Sequence, residues 1–158
     1  IVEPEVLING KHSIDKCNTI TRETLKCLFD QLALLNIYLP GTILKPSMVI
    51  SGDSNDSRAD FKMVADMTIK CLKDICPDDL GGIAFLSGGQ TNEEATTHLN
   101  LMNKDYDSLP WRVTFSYARA IQQSALNAWC GKDENSQKSQ EILSERANLC
   151  SKASIGEL

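Results

Sequence analysis

The sequence predicts an α/β protein built on a parallel sheet. Three observations predict it. Short apolar runs bounded by Gly, Pro or polar residues alternate with long stretches of helical period. The runs are continuously apolar, as expected for strands covered on both faces. The order is strand, helix, repeated four times, which is the pattern of βαβ units. An open doubly wound sheet and half of an eight-stranded barrel both satisfy this order.

The strands are expected at 1–3, 42–44, 83–86 and 113–115. The first helix is expected over 14–36. Ile14, Cys17, Leu25, Leu28, Leu32 and Leu35 recur at steps of three and four, with one slip near Thr21, and Ser13 is placed to cap it. The second covers 59–75 through Phe61, Val64, Met67, Cys71 and Ile75, and Pro77 stops it. Thr91-Asn92-Glu93-Glu94 is a capping box, so the third helix starts there and runs to about 103. The fourth is expected over 117–129 and the fifth over 134–152. The polar stretch 51–57 is expected to be a mobile loop. No repeat or linker divides the chain, so residues 1–158 are expected to form one domain. Because the chain opens inside a strand, a preceding segment is expected.

Composition narrows the function. The 158 residues are 42% apolar and 23% charged, as in soluble globular proteins. A net charge of −5 gives no reason to expect a nucleic-acid partner. No apolar run approaches the roughly 20 residues of a membrane helix, so no membrane insertion is expected. The six cysteines form no C-x-x-C pair and several fall on helical apolar stripes, which suits reduced thiols in a cytoplasmic protein. His12 and His98 share no metal-ligand spacing with each other or with a cysteine, so no metal or other cofactor is expected. His98 lies in a polar helical pattern and is expected to be solvated.

The chemistry concentrates where strands end, the usual ligand position in parallel α/β folds. Glu3 and Glu5 close the first strand. A carboxylate buried there has its pKa raised into the range of general acid/base work; a salt-bridged carboxylate that only holds the loop is the alternative. Lys45 follows the second strand and precedes Pro46. A lysine desolvated inside a barrel favours the neutral amine, the nucleophile of Schiff-base chemistry; a snorkelling surface lysine is the alternative. Ser87-Gly88-Gly89-Gln90 follows the third strand and precedes the capped helix, a place where backbone N–H groups can hold a phosphate or merely turn the chain. Ser116 and Arg119 follow the fourth strand, and a guanidinium in that first helical turn can grip a phosphate or simply face solvent.

Five stretches resemble the eukaryotic type of class I fructose-1,6-bisphosphate aldolase. They are Ile1-Val2-Glu3-Pro4-Glu5-Val6-Leu7, Gly41-Thr42-Ile43-Leu44-Lys45-Pro46-Ser47-Met48-Val49, Phe85-Leu86-Ser87-Gly88-Gly89-Gln90, Trp111-Arg112-Val113-Thr114-Phe115-Ser116-Tyr117-Ala118-Arg119-Ala120, and Gln123-Ser124-Ala125-Leu126-Asn127-Ala128-Trp129. The resemblance covers nearly the whole chain. It implies a (β/α)8 TIM barrel of which this chain supplies strands five to eight and their helices. It implies Lys45 as the imine-forming lysine, Glu3 as a general acid/base, Glu5 as a neighbouring acid, and Ser87, Gly88, Gly89, Ser116 and Arg119 as the sugar-phosphate site. It also implies a homotetramer, a possible actin-linked cytoskeletal partner, and reversible cleavage of fructose 1,6-bisphosphate without a metal. A scaffold without catalysis and a transaldolase-like enzyme on the same barrel are the alternatives. Three departures stand out. The family's aspartate and two lysines of the early strands are absent, Ala118 replaces the usual glycine before the phosphate arginine, and the family's terminal tyrosine tail is absent.

Overall fold

The computed structural model describes all 158 residues. Five α-helices and three short strands form in chain order: α1 Ile14–Leu34, β1 Ile43–Leu44, α2 Phe61–Ile75, β2 Gly82–Phe85, α3 Asn92–Asp105, β3 Val113–Phe115, α4 Arg119–Trp129 and α5 Ser136–Ala153. Local chemistry sets their ends. Ser13 caps α1 by accepting from the Lys16 N–H, and Asp60 caps α2 by accepting from Met63 at 2.7 Å. Both bonds of the capping box expected at Thr91 and Glu94 are present on α3. Helix α1 stops two residues short of the expected end, where Asn36 takes a left-handed φ of 52°. Helix α4 starts at Arg119 rather than at 117, because Tyr117 and Ala118 still belong to the turn out of β3.

The first expected strand is reduced to one parallel bridge, Val2 to Leu44, with Val2 N–H donating to Ile43 O and Lys45 N–H to Val2 O. β1 pairs with β2 and β2 with β3, all parallel. Spatial order therefore follows chain order from Val2 to β3, without the reversal that defines a doubly wound sheet. The helices repeat that order, α1 against α2 and α2 against α3, and α5 packs on α3 and α4. Of the two architectures compatible with the sequence, the structure adopts the portion of a barrel.

The core lies between sheet and helices. Leu44, Ile83, Phe85 and Val113 point into it and meet Leu25, Val64, Ile69, Leu72, Leu99 and Met102. The register places Glu3, Lys45, Ala84 and Thr114, each one residue beyond a paired position, in one row on the opposite face. That face has no helical layer, and its residues are exposed or half-buried.

Two local expectations are corrected. Loop 51–57 is tied down rather than free: Asp53 accepts from the Gly10 N–H at 3.0 Å, and the Asn55 amide donates to Lys11 O and His12 O at 3.0 Å. His98 is not solvated; it is 2% exposed, because Gln90 and the Phe61 ring, 5.2 Å away centre to centre, close over it.

Candidate active site at the strand ends

The row on the open face ends in a cavity of about 140 Å³ lined by Glu3, Glu5, Lys45, Ser87, Gly88, Ser116 and Arg119, with Leu86 and Ala118. Gly89 lines an adjoining cavity with Glu5, Gly88 and Arg119. The residues singled out from four strand ends therefore meet in one place.

Lys45 leaves β1 on the open face, held there because its own N–H is bonded to Val2 O at 2.8 Å. Its Nζ lies 2.9 Å from Glu3 Oε1, and its side chain is 21% exposed. The expected burial of Glu3 is not met: its side chain is 52% exposed. The reason is the open face, since no element of this chain packs across the carboxylate. The pair nevertheless puts a proton acceptor in direct contact with the amine.

The other half of the cavity is built from two turns. Gly88 and Gly89 both adopt left-handed φ, 55° and 83°, which side-chain-bearing residues seldom take. A Cβ at Gly88 would stand 3.0 Å from Leu86 Cδ1 and 4.0 Å from Glu5 Oε1. Neither glycine N–H donates to an acceptor within the chain. Opposite them, α4 begins without a side-chain cap, and its Arg119 and Ala120 N–H groups donate to no acceptor in the chain, while Ile121 N–H donates to Ala118 O. Arg119 is exposed and has no carboxylate partner within 4.0 Å. Ala118 has φ −98°, a conformation in which the methyl group adds no backbone strain. Two free N–H groups, a helix N-terminus and an unpaired guanidinium form a cradle whose chemistry suits a doubly charged anion.

Two supports of this cradle were not legible as such in the sequence. Gln90 folds back on the glycine turn, both its backbone N–H and its side-chain Nε2 donating to Ser87 O at 3.0 Å, while its Oε1 lies 2.7 Å from His98 Nδ1. His98 falls on the same helical stripe as Ala95 and Met102, which was the available signal. Burial pushes its pKa down to about 4, so the ring is neutral near pH 7. Arg146 of α5 has no carboxylate at all. It donates to Ala120 O at 3.2 Å, to Asn92 O at 3.0 Å and to Thr96 Oγ1 at 2.7 Å, tying together the first turns of α3 and α4. No sequence pattern marks such a contact, because its partners are mostly backbone carbonyls. At the α3 cap, burial pushes Glu94 up, but the Thr91 backbone N–H and Arg58, 2.6 Å away, hold its carboxyl below the usual range.

A family model described as glycolytic fructose-bisphosphate aldolase class-I matches residues 1–158. The probable fructose-bisphosphate aldolase class 1 of Xanthomonas axonopodis pv. citri is 48% identical over 158 residues, 99% of this chain and 47% of that protein. The cytosolic fructose-bisphosphate aldolase 4 of Arabidopsis thaliana is 42% identical over 156 residues, 99% of this chain and 40% of that protein. Among solved structures, the fructose-bisphosphate aldolase of Plasmodium falciparum, in complex with TRAP and a small-molecule inhibitor, superposes with a TM-score of 0.92 at 43% identity, covering 99% of this chain and 45% of that one. The chain spans about half the length of the curated relatives it matches. No helix is long and apolar enough to cross a membrane. With a parallel sheet in barrel order, a lysine–carboxylate pair at its strand ends and a match along every residue, this chain belongs to the class I fructose-bisphosphate aldolase family.

Proposed function

We propose that this chain is the C-terminal half of a cytoplasmic aldolase barrel, strands five to eight, and supplies the imine-forming half of its active site. The reaction is the reversible cleavage of fructose 1,6-bisphosphate to dihydroxyacetone phosphate and glyceraldehyde 3-phosphate. The observation that carries this reading is the Lys45–Glu3 contact of 2.9 Å, in one cavity with Ser87, Gly88, Ser116 and Arg119.

The steps follow from that geometry. Glu3 takes a proton from the Lys45 ammonium, and the free amine adds to the ketone carbon. The Glu3 carboxyl returns that proton to the oxygen of the adduct, takes the next one from the carbinolamine nitrogen and passes it to the same oxygen, which leaves as water to give the iminium. The bond between the α and β carbons, one removed from the iminium carbon, breaks, and its electron pair forms the C=C of an enamine as the C=N pair moves onto nitrogen. The Glu3 carboxylate takes the proton of the hydroxyl on the departing carbon as that carbon becomes an aldehyde, the same proton then goes to the enamine carbon, and water hydrolyses the iminium to free the ketone and Lys45. Glu5, at the same strand end, is the neighbouring acid. The Ser87-Gly88-Gly89 turn, Ser116 and Arg119 hold the phosphate and fix the ketone over Nζ, converting binding energy into orientation. A homotetramer and an actin-linked partner belong to the same reading, and sedimentation of the complete protein, alone and with filaments, measures both.

The test is borohydride trapping of the complete protein with dihydroxyacetone phosphate. A stable adduct on Lys45, and none in Lys45→Met, is expected. A wild-type protein whose Lys45 carries no adduct overturns the assignment.

A further inference from the structure

Gln90 ends the glycine turn, and its amide orientation is chemically fixed. Ser87 O can only accept, so the group 3.0 Å from it is the Gln90 NH₂, and Oε1 is the atom facing His98. An amide oxygen can only accept in turn, so His98 Nδ1 carries the hydrogen. The chain of donors runs in one direction, from α3 to the turn: His98 Nδ1–H to Gln90 Oε1, then Gln90 Nε2–H to Ser87 O. Both side chains are buried, at 2% and 7% exposure, so water cannot replace either link cheaply. The peptide groups that follow Ser87 O are those whose N–H groups face no acceptor in the chain, at Gly88 and Gly89.

We propose that His98 is a positioning residue for the phosphate cradle, acting through Gln90 to hold the Ser87–Gly88–Gly89 turn in its anion-binding conformation. The inference rests on the phosphate reading given above. His98 touches no ligand. Its donated hydrogen reinforces the one amide orientation of Gln90 that satisfies Ser87 O. The other orientation sets Oε1 against Ser87 O, oxygen to oxygen, and releases the turn. Preorganisation of this kind is paid for during folding rather than at binding, so its loss falls on phosphate affinity.

The experiment compares two ketones in the complete protein: dihydroxyacetone phosphate and dihydroxyacetone, which lacks the phosphate. Borohydride trapping at Lys45 is titrated with each, and the ratio of the two half-saturating concentrations reads the contribution of the phosphate. In His98→Leu the phosphate advantage is expected to fall about tenfold, the equivalent of one ordinary hydrogen bond. His98→Asn, whose amide nitrogen stands close to the place of Nδ1 and can donate, is expected to hold the ratio within about twofold of wild type. Gln90→Met reads the same link from its other side, and keeps the test alive if His98→Leu does not fold. The double variant is expected to lose no more than either single one, since both remove one chain of bonds. Equal weakening toward both ketones, or a His98→Asn ratio as poor as that of His98→Leu, overturns the proposal. Failure of the phosphate reading looks different: the wild type then prefers neither ketone.

Discussion

At the residue scale, the site depends on a few groups whose protonation the fold decides. His98 is the clearest. In an unfolded chain it titrates near 6.5, and burial pushes it down to about 4 in the folded one. Between these values the unfolded state binds a proton that the native state refuses, so stability falls as the pH drops from about 6.5 toward 4. The amount lost is on the order of 3 kcal/mol for a shift of this size. Asp53, Asp66 and Glu94 act in the same direction, since each is held below its ordinary value by hydrogen bonds or a neighbouring cation and loses that support when protonated. Thermal melts of the complete protein should therefore fall steeply below about pH 6. His98→Asn should flatten the upper part of that fall, and an unchanged pH profile in this variant would count against the burial argument.

At the element scale, the cradle is a meeting of helix N-termini, and Arg146 is what fixes their spacing. Its planar fork reaches one carbonyl in α3 and one in α4, with the Thr96 hydroxyl between. Removing it takes a donor from Ala120 O and Thr96 Oγ1, leaves Asn92 O with the Thr96 hydroxyl, and frees α4 to shift against α3. Arg146→Met is expected to destabilise the protein by about 2 kcal/mol, read from the urea midpoint at unchanged slope. Amide exchange should quicken first in the opening turn of α4, which has no side-chain cap to hold it. Arg146→Lys keeps the charge but loses the fork, and is expected to recover less than half of the loss. Full recovery by lysine would mean that charge, and not geometry, is the contribution.

At the scale of the whole molecule, the sheet ends on two unpaired edges, at the Val2 bridge and at β3. Few strands of so short a length cannot close a barrel on themselves, and their free N–H and C=O groups invite pairing with other chains. The face bearing Lys45 and Glu3 also lacks a covering layer, so half of the Glu3 side chain meets solvent. Residues 1–158 expressed alone are expected to aggregate or to bind apolar dyes without a cooperative melt, as seen by light scattering and calorimetry. A monodisperse segment with a sharp transition would contradict this. The same openness explains why the isolated segment is expected to trap little ketone even with Lys45 in place.

Much was legible before any fold was known. Helix positions followed from periodicity and caps, and Thr91 with Glu94 made both bonds that their spacing promised. Strand-end chemistry pointed to Lys45, Glu3, Ser87 and Arg119 because such residues are unusual beside apolar runs. The residues from 1 to 3 were harder, since an apolar run reports a preference for extended chain but not how many ladder bonds a partner supplies; here only Val2 is paired. The burial of His98 is not legible in the sequence, because its neighbours there are polar while its cover comes from Gln90 and Phe61.

The sequence by itself determined the five helices, three of the four strands and which side chains stand at the strand ends, because period, capping and turn chemistry act over a few residues. Only the tertiary structure decided that the strands lie in chain order, that Lys45 Nζ meets Glu3, and that His98 is sealed while Glu3 is left half in water. Those outcomes depend on which distant element covers which face, and local pattern carries no record of that.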